Sequence, residues 1–289
     1  MRKYSILTDS GCDLSPETLA KWGVKAINLT FSFPDSQNAL TCKDMAIKEF
    51  YARMRRGDCA KTASATILNC QRAFLTELSA GKDILYIGMS SGISTTFDTA
   101  KLVAEELAGM WKDRKIIVVD SLCASAGLGL AVYLASEKRA SGASITECAC
   151  YVKDILPQLC HWFTVDNLVY LKRGGRISAA TAFLGTALQI KPVMHVDDEG
   201  HLVNVSKSHG RKNSIRALAA KYKELANDPS SGTYFISHGD CLQDAKLLES
   251  VIKESCDDNP ASLITEISPV IGAHSGPGTL ALFFLGKNR

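Results

Sequence analysis

The chain has 289 residues, of which 46% are hydrophobic and 22% are charged, a composition typical of a globular protein with one large or two ordinary domains. Its 33 basic and 30 acidic residues give a net charge of +3, too small a bias to indicate nucleic-acid binding. The ten cysteines are scattered, and the chain starts Met1-Arg2-Lys3-Tyr4 without an apolar leader, so we predict reduced thiols and a cytoplasmic protein. The last long apolar run, 280–285, is far shorter than the roughly 20 residues of a membrane span.

The first half of the chain alternates between strand and helix patterns. Ser15 and Pro16 open a short helix that Gly23 stops, and Thr41 with Asp44 resembles a capping box for a helix over residues 45–56. Strands are predicted at 4–8, 24–29, 82–88 and 115–119, and further helices at 97–110, 125–140 and 143–156. This alternation predicts right-handed βαβ units and a mostly parallel sheet.

The stretch Lys82–Thr96 reads as a strand, a small-residue turn and the start of a helix. Free backbone N–H groups at such a turn favour an anionic or oxygen-rich ligand group. Gly88-x-Ser90-x-Gly92 fits the nucleophile elbow of esterases, in which Ser90 would attack an ester. Alternatively, the hydroxyl groups of this turn, Ser94 among them, line a pocket and bind a ligand without attacking it.

From about residue 160 the pattern changes. A strand is predicted at 167–171, a basic turn at 172–176 and a helix at 177–188. The segments 191–196 and 201–206 flank an acidic turn and predict a β-hairpin, which indicates a mixed sheet. Later elements are predicted at 213–226, 234–237, 243–253, 263–267 and 279–285. We therefore predict an α/β protein with two domains, 1–160 and 161–289, the first with a mostly parallel sheet and the second with a mixed sheet.

A second informative stretch, Ser268–Gly278, contains three glycines and two prolines, which predicts a rigid loop rather than a helix around His274. Ser90, Asp240 and His274 follow the chain order of an esterase triad, but the oxyanion loop of such enzymes is missing before residue 88. Residues 61–66 are rich in hydroxyl groups and either cap a helix or face a ligand. Cys148 and Cys150 lack a second pair of metal ligands, so no metal is expected.

An ordered set of motifs covers nearly the whole chain and resembles the DegV family of bacterial fatty-acid-binding proteins. The motifs are T-D-S at 8–10, S-S-G-I-S at 90–94, V-D-S at 119–121, L-K-R-G-G-R-I-S at 171–178, I-K-P at 190–192 and G-A-H-S-G-P-G at 272–278. The resemblance implies a long-chain fatty acid buried between two α/β domains. It also implies a protein without a cofactor or a catalytic nucleophile, which presents the acid to a separate ATP-dependent kinase subunit.

The resemblance also implies roles for particular residues. The carboxylate would be held by Thr62, Ser94, His274 and Ser275, with Arg173 in the surrounding network and Arg211 toward the kinase. Three departures concern the head-group end: T-A-S-A-T replaces T-S-Q-P-S at 62–66, serine replaces threonine at 275, and threonine replaces glycine at 95. A serine esterase, or a binding protein for another amphipathic ligand, remains the alternative.

Overall fold

The structure, a computed structural model, describes residues 2–178, 189–256 and 260–289. The strands are β1 (Tyr4–Asp9), β2 (Val24–Ile27), β3 (Thr30–Ser32), β4 (Lys61–Ala63), β5 (Asp83–Gly88), β6 (Ile116–Asp120), β7 (Leu159–Thr164), β8 (Ile190–Val196), β9 (Leu202–His209), β10 (Tyr234–His238), β11 (Ser262–Glu266) and β12 (Leu280–Leu285). The α-helices within these ranges are α1 (Pro16–Lys21), α2 (Ile47–Arg55), α3 (Ile67–Ser79), α4 (Thr96–Met110), α5 (Ser125–Ala140), α6 (Ile145–Ile155), α7 (Val169–Arg173), α8 (Arg211–Leu225), α9 (Leu242–Glu254) and α10 (Pro269–Ser275).

The first sheet has four parallel strands in the order β2-β1-β5-β6. Every residue of β1 and β5 is buried, as expected for parallel strands covered by helices on both faces. The chain leaves β1 toward β2 and leaves β5 toward β6, on the opposite side. Such a reversal opens a crevice beyond the carboxyl ends of the two central strands, where α/β proteins bind ligands.

The second sheet has six strands in the order β11-β10-β12-β7-β8-β9. Strands β10 and β11 are parallel, whereas the other neighbouring pairs are antiparallel, including the predicted hairpin of β8 and β9. The predicted fold class, α/β with one parallel and one mixed sheet, is confirmed.

Helix α5 joins the two sheets. It packs against β1 and β5 of the first sheet and against β7, β10 and β12 of the second. Its side chains are buried on several sides, as expected for a helix that is apolar around most of its circumference. Since one helix contacts both sheets, the division of the chain at residue 160 stays a prediction.

A small antiparallel pair, β3 and β4, and helix α2 form an insertion between β2 and α3. Its core is aromatic: Phe31, Phe33, Phe50 and Tyr51 pack together and against Ala273 of α10. The Tyr51 hydroxyl donates a hydrogen bond of 3.0 Å to the Ile267 carbonyl. The insertion therefore connects the first part of the chain to the segment that precedes β12.

Two predicted elements in the second half are wrong. Residues 167–171 were expected to form a strand, but α7 begins at Val169, whose N–H donates to Asn167 Oδ1 at 2.9 Å, and the strand of this region is β7. Periodicity cannot separate helix from strand in a five-residue apolar run. The segment Ser268–Gly278 was expected to contain no helix, yet α10 occupies its first part. Pro269 is compatible with a helix because it stands in the first turn, and Gly276, with φ of +82°, ends the helix.

The predicted capping box of α2 is also wrong. Thr41 and Asp44 do bond to each other, with the Thr41 hydroxyl 2.7 Å from Asp44 Oδ2, but they form a turn upstream of the helix. The N-cap residue is Ala46, which provides no side-chain acceptor. Most of the helix predicted at 177–188 lies outside the described residues. None of the helices in the described ranges is long and apolar enough to cross a membrane.

Candidate functional site

A cavity of about 500 Å³ lies between the two sheets, beyond the carboxyl ends of β1 and β5. Its wall is mostly apolar and takes residues from both sheets and from the segment around α10. Apolar lining residues include Leu29, Met89, Phe163, Val270, Ala281 and Phe283. Polar lining residues include Thr62, Ser94, Arg173, Arg176, His274 and Ser275. A cavity of this size with few polar groups is typical of a site for a small apolar molecule with one polar group.

The turn after β5 is held by a buried carboxylate. Asp9 Oδ2 accepts hydrogen bonds from the Met89 N–H at 2.8 Å and from the Tyr86 hydroxyl at 3.1 Å. Burial raises the pKa of Asp9 above its usual range. The bond from Met89 to Asp9 ties the start of this turn to the neighbouring strand β1, and the turn leads to Ser94 just before α4.

The two serines named at this turn have different surroundings. Ser90 is fully buried; its hydroxyl donates to the Gly200 carbonyl at 3.0 Å and accepts from the Gly92 N–H at 3.1 Å. Ser94 lines the cavity, where its hydroxyl donates to Thr96 Oγ1 at 3.0 Å. Ser90 therefore attaches the turn of the β8–β9 hairpin to the first sheet, whereas Ser94 lines the cavity.

His274 reaches the cavity from α10, the helix that the sequence did not predict. Its Nε2 lies 2.7 Å from Oγ1 of Thr62 on β4, while its Nδ1 has no hydrogen-bond partner among the described residues. Burial, and secondarily the nearby cation of Arg176, lowers the pKa of His274 to about 4, so the ring is neutral near pH 7. A side chain at position 174 would collide with the imidazole, which explains the glycine there.

Ser275 follows His274 and is buried, and its hydroxyl also lacks a hydrogen-bond partner among the described residues. Buried polar atoms are nearly always paired, and those left unpaired in a cavity indicate groups that a ligand completes. The structure thus brings Thr62, Ser94, His274 and Ser275 to one cavity. In the hydroxyl-rich segment before α3, Thr66 caps the helix and Thr62 lines the cavity.

Two arginines line the cavity, and sequence reasoning named one of them. Arg173 is exposed, and its Nη1 lies 3.3 Å from Cys59 Sγ. Arg176, which the sequence analysis did not name, is half-buried and donates from Nε and Nη2 to the Ile93 carbonyl at 3.2 and 2.9 Å. Among the described residues no carboxylate forms an ion pair with Arg176, so its charge is available to an anion. Arg176 is the second arginine of the K-R-G-G-R motif, and its place in that motif could have identified it from the sequence.

The remaining candidates lie elsewhere. Arg211 does not line the cavity; its Nε pairs with Asp244 Oδ2 at 2.8 Å. Asp240 pairs with Arg55. The structure therefore does not bring Ser90, Asp240 and His274 together as a hydrolytic triad. Within the described ranges, no group of three or more histidine, cysteine or acidic side chains is arranged to hold a metal ion.

Fold and site together define a two-sheet α/β protein with a mostly apolar cavity that a few polar side chains also line. Comparison with known proteins specifies the family. The model for DegV, described as "Uncharacterised protein, DegV family", matches residues 3–287, so the chain belongs to the DegV family, as its motifs predicted.

Individual relatives match over their whole length. A DegV domain-containing protein of Clostridium perfringens is 36% identical over 290 residues, which cover 100% of this chain and 99% of that protein. The solved structure of a DegV lipid-binding protein from Thermotoga maritima is 27% identical, with a TM-score of 0.87 and 99% of each chain covered. A fatty-acid-binding DegV family protein from Thermus thermophilus is 25% identical, with a TM-score of 0.88, and the match covers 99% of this chain and 100% of that one.

Proposed function

We propose that this protein binds a long-chain fatty acid, with the tail in the apolar part of the cavity and the carboxylate at Thr62, Ser94, His274 and Ser275. One observation carries the proposal: a mostly apolar cavity is lined by His274 and Ser275, whose buried Nδ1 and Oγ atoms have no partner in the described part of the chain, next to the cation of Arg176. The similar proteins from Thermotoga maritima and Thermus thermophilus, which bind lipid and fatty acid, support the same ligand class.

The polar end suits a carboxylate in particular. The Ser275 hydroxyl has no partner among the described residues and can donate to the ligand, whereas the Ser94 hydroxyl would have to give up its bond to Thr96 Oγ1 to do so. Hydrogen bonds from neutral donors to a charged oxygen are among the stronger ones in proteins. The neutral imidazole of His274 can donate from only one nitrogen; when the Thr62 hydroxyl donates to Nε2, Nδ1 carries the proton and can donate to the ligand. Arg176 supplies the compensating charge, since no carboxylate of the described ranges pairs with it. We therefore assign Arg176, with Arg173 nearer the solvent, to the head-group network.

The tail supplies most of the binding free energy. Burial of a methylene group yields about 0.8 kcal/mol, so a tail of about fifteen carbons gives on the order of 10 kcal/mol before the cost of ordering it. The apolar wall formed by Met89, Phe163, Val270 and Phe283 provides the matching surface. The head group then sets the orientation of the acid in the cavity.

The carboxylate end is also the end nearer the solvent. Cys59, Lys61 and Arg173 are exposed and line the same cavity. A carboxylate placed there can be reached by a separate ATP-dependent kinase subunit, the partner that the family resemblance implies. We propose that the protein works in the cytoplasm as the acyl-carrying component of such a pair and has no catalytic nucleophile of its own.

Arg211 is proposed to contact that kinase. It begins α8 at the end of the β9 edge strand and lies outside the cavity, so it is not placed to bind the fatty acid. Its ion pair with Asp244 would orient the partly buried guanidinium. Arg211→Ala should slow phosphorylation of the bound acid by the kinase and leave fatty-acid affinity unchanged, whereas Lys212→Ala should affect neither.

Mass spectrometry tests the ligand directly. The purified protein is measured under native and then denaturing conditions, and the released small molecules are identified. A long-chain fatty acid that leaves on denaturation is the expected result. If no acid is released, none rebinds, and a fluorophosphonate labels Ser90 covalently, the proposal is wrong and the esterase interpretation replaces it.

A further inference from the structure

A hydrogen bond joins the two segments of the chain that carry Thr62 and Ser94. Thr95, which follows Ser94, donates from its hydroxyl to Ser64 Oγ at 2.9 Å. Ser64 lies two residues after Thr62 and itself lines the cavity. The bond therefore bridges the segment after β4 and the start of α4, directly beside the proposed carboxylate site.

Thr95 is the N-cap residue of α4, yet its side chain does not cap the helix. A threonine in this position normally accepts a hydrogen bond from an N–H group of the first turn, and loss of such a cap costs about 1 kcal/mol. Here Ser94 Oγ accepts from the Thr96 N–H at 3.2 Å instead. The exposed Thr95 hydroxyl is thus used for the contact with Ser64 and not for the helix.

A second hydrogen bond joins the same two segments. The Ala65 N–H donates to Thr96 Oγ1 at 3.3 Å, and this oxygen also accepts from the Ser94 hydroxyl at 3.0 Å. Thr96 is fully buried, so its oxygen would be costly to leave unpaired. Because Ala65 supplies a donor, Thr96 keeps a partner when the hydrogen of the Ser94 hydroxyl turns to a ligand. The Thr96 N–H meanwhile holds the Ser94 oxygen in place.

Both bonds depend on residues in which this chain departs from the DegV motifs. Ser64 and Ala65 stand where T-S-Q-P-S has glutamine and proline, and Thr95 stands where glycine is usual. A proline at position 65 has no N–H to donate, and a glycine at position 95 has no hydroxyl. The departures thus occur together at one contact, and they connect the two segments by hydrogen bonds that the usual residues cannot make.

We propose that Ser64 and Thr95 are positioning residues of the head-group site. Their bond holds the segment after β4 against the start of α4, so that Thr62 and Ser94 are presented together to one carboxylate. The inference rests on the proposed function and adds to its site two residues that act through Thr62 and Ser94. A site whose groups are held in place before binding loses less conformational entropy when the ligand binds. Affinity for the acid therefore depends on this pair.

Titration of the delipidated protein with octadecanoic acid tests the inference. We expect Ser64→Ala and Thr95→Val each to weaken binding about fivefold, as for one lost hydrogen bond. The double variant should be no weaker than either, because both changes remove the same contact. Thr95→Ser, which keeps the hydroxyl, should bind like the wild type. Thr76→Val, the same type of change at an exposed threonine whose hydroxyl donates within α3, is the matched control and should leave the affinity unchanged.

A repeat of Thr95→Val in the Ser94→Ala background separates positioning from a general loosening of the cavity. The fivefold loss should disappear there if the pair acts through Ser94, whereas a loosened cavity would bind more weakly by the same factor. Should Thr95→Val not fold, Ser64→Ala is compared in the same way.

The outcomes also separate this inference from the proposed function. If the wild type binds octadecanoic acid but Ser64→Ala and Thr95→Val bind it equally well, the inference is wrong and the function stands. Losses that add in the double variant, or that persist without the Ser94 hydroxyl, overturn the inference in the same way. If the wild type binds no acid, the proposed function itself is wrong, and the inference with it.

Discussion

Oγ1 of Thr62 and Nε2 of His274 lie 2.7 Å apart, so one hydrogen bond joins β4 to α10 across 212 positions of the chain. The bond brings the insertion after β2 to the segment before β12, at the polar end of the cavity. It also commits one nitrogen of a neutral imidazole, while Nδ1 has no hydrogen-bond partner among the described residues. The proposed carboxylate site therefore depends on elements from opposite ends of the chain.

Ser94→Ala should weaken fatty-acid binding, whereas Ser90→Ala should mainly lower stability. Loss of one hydrogen bond to a charged group predicts an affinity decrease of roughly 10- to 100-fold for Ser94→Ala. Ser90→Ala removes the donor to the buried Gly200 carbonyl, at a cost of about 1–3 kcal/mol in the free energy of unfolding. Ligand titration and urea denaturation of both variants measure the two effects. The reverse order of affinities would contradict the assignment.

Arg176→Met should reduce fatty-acid affinity more than Arg173→Met. Arg176 is half-buried near His274 and pairs with no carboxylate among the described residues, whereas Arg173 is exposed and its interaction with an anion is screened by water. We expect a loss of roughly tenfold or more for Arg176→Met and about threefold or less for Arg173→Met. The comparison uses titrations at low and high salt. A larger loss for Arg173→Met would restore Arg173 as the main head-group cation.

His274 should make the ligand-free protein less stable as the pH falls below about 6.5. Its pKa is about 4 in the folded protein and 6.5 in the usual state, so only the unfolded chain gains a proton between these values. The contribution of the neutral imidazole to the free energy of unfolding is fully present above pH 6.5 and is lost as the pH falls to 4. The total loss is about 3 kcal/mol. Urea denaturation across this range should show a weaker pH dependence for His274→Asn. If the free energy of unfolding changes with pH equally in His274→Asn and in the wild type, the lowered pKa of His274 is contradicted.

Asp13 should give the stability of the folded protein the opposite pH dependence, with a loss of stability as the pH rises. This residue is buried and accepts hydrogen bonds from the Ser125 hydroxyl and the Ser268 N–H, and burial raises its pKa to about 7. Because the folded pKa exceeds the usual value of 3.8, stability is complete below about pH 4 and decreases as the pH rises through 7. The decrease amounts to about 4 kcal/mol.

Asp13→Asn should therefore remove much of this decrease between pH 4 and 8, because an amide does not ionise. Asp35→Asn, at an exposed carboxylate, serves as the matched control and should keep the wild-type profile in that range. Thermal or urea unfolding of the ligand-free proteins measures both. A wild-type profile that does not fall toward pH 8 relative to Asp13→Asn would refute the prediction.

Much of the local structure could be predicted from the sequence. Ser15 caps α1 with Pro16 in its first turn, and the strand, turn and helix around Ser90 and Ser94 occur as predicted. The β8–β9 hairpin follows its acidic turn ending in Gly200. These features depend on nearest neighbours, caps and turn residues, which are local properties of the chain.

The errors occurred where a short segment could adopt more than one conformation. The run at 167–171 is too short for its period to be read, and α10 forms despite its glycines because the surrounding structure requires a helix there. Gly272 illustrates a distant constraint on the residues of α10: a side chain at this position would collide with Tyr51, which lies more than 200 residues earlier. Such a requirement is visible only after the chain has folded.

The sequence by itself determined the fold class, the family and the residue types of the site, because hydrophobic periodicity and ordered motifs are written along the chain. Only the tertiary structure decided how those residues are used. It placed Ser90 in the contact with Gly200 and Ser94 in the cavity, and it added Arg176 to the lining. The physical reason is that burial and pairing depend on which distant segments meet, and spacing along the chain does not record this.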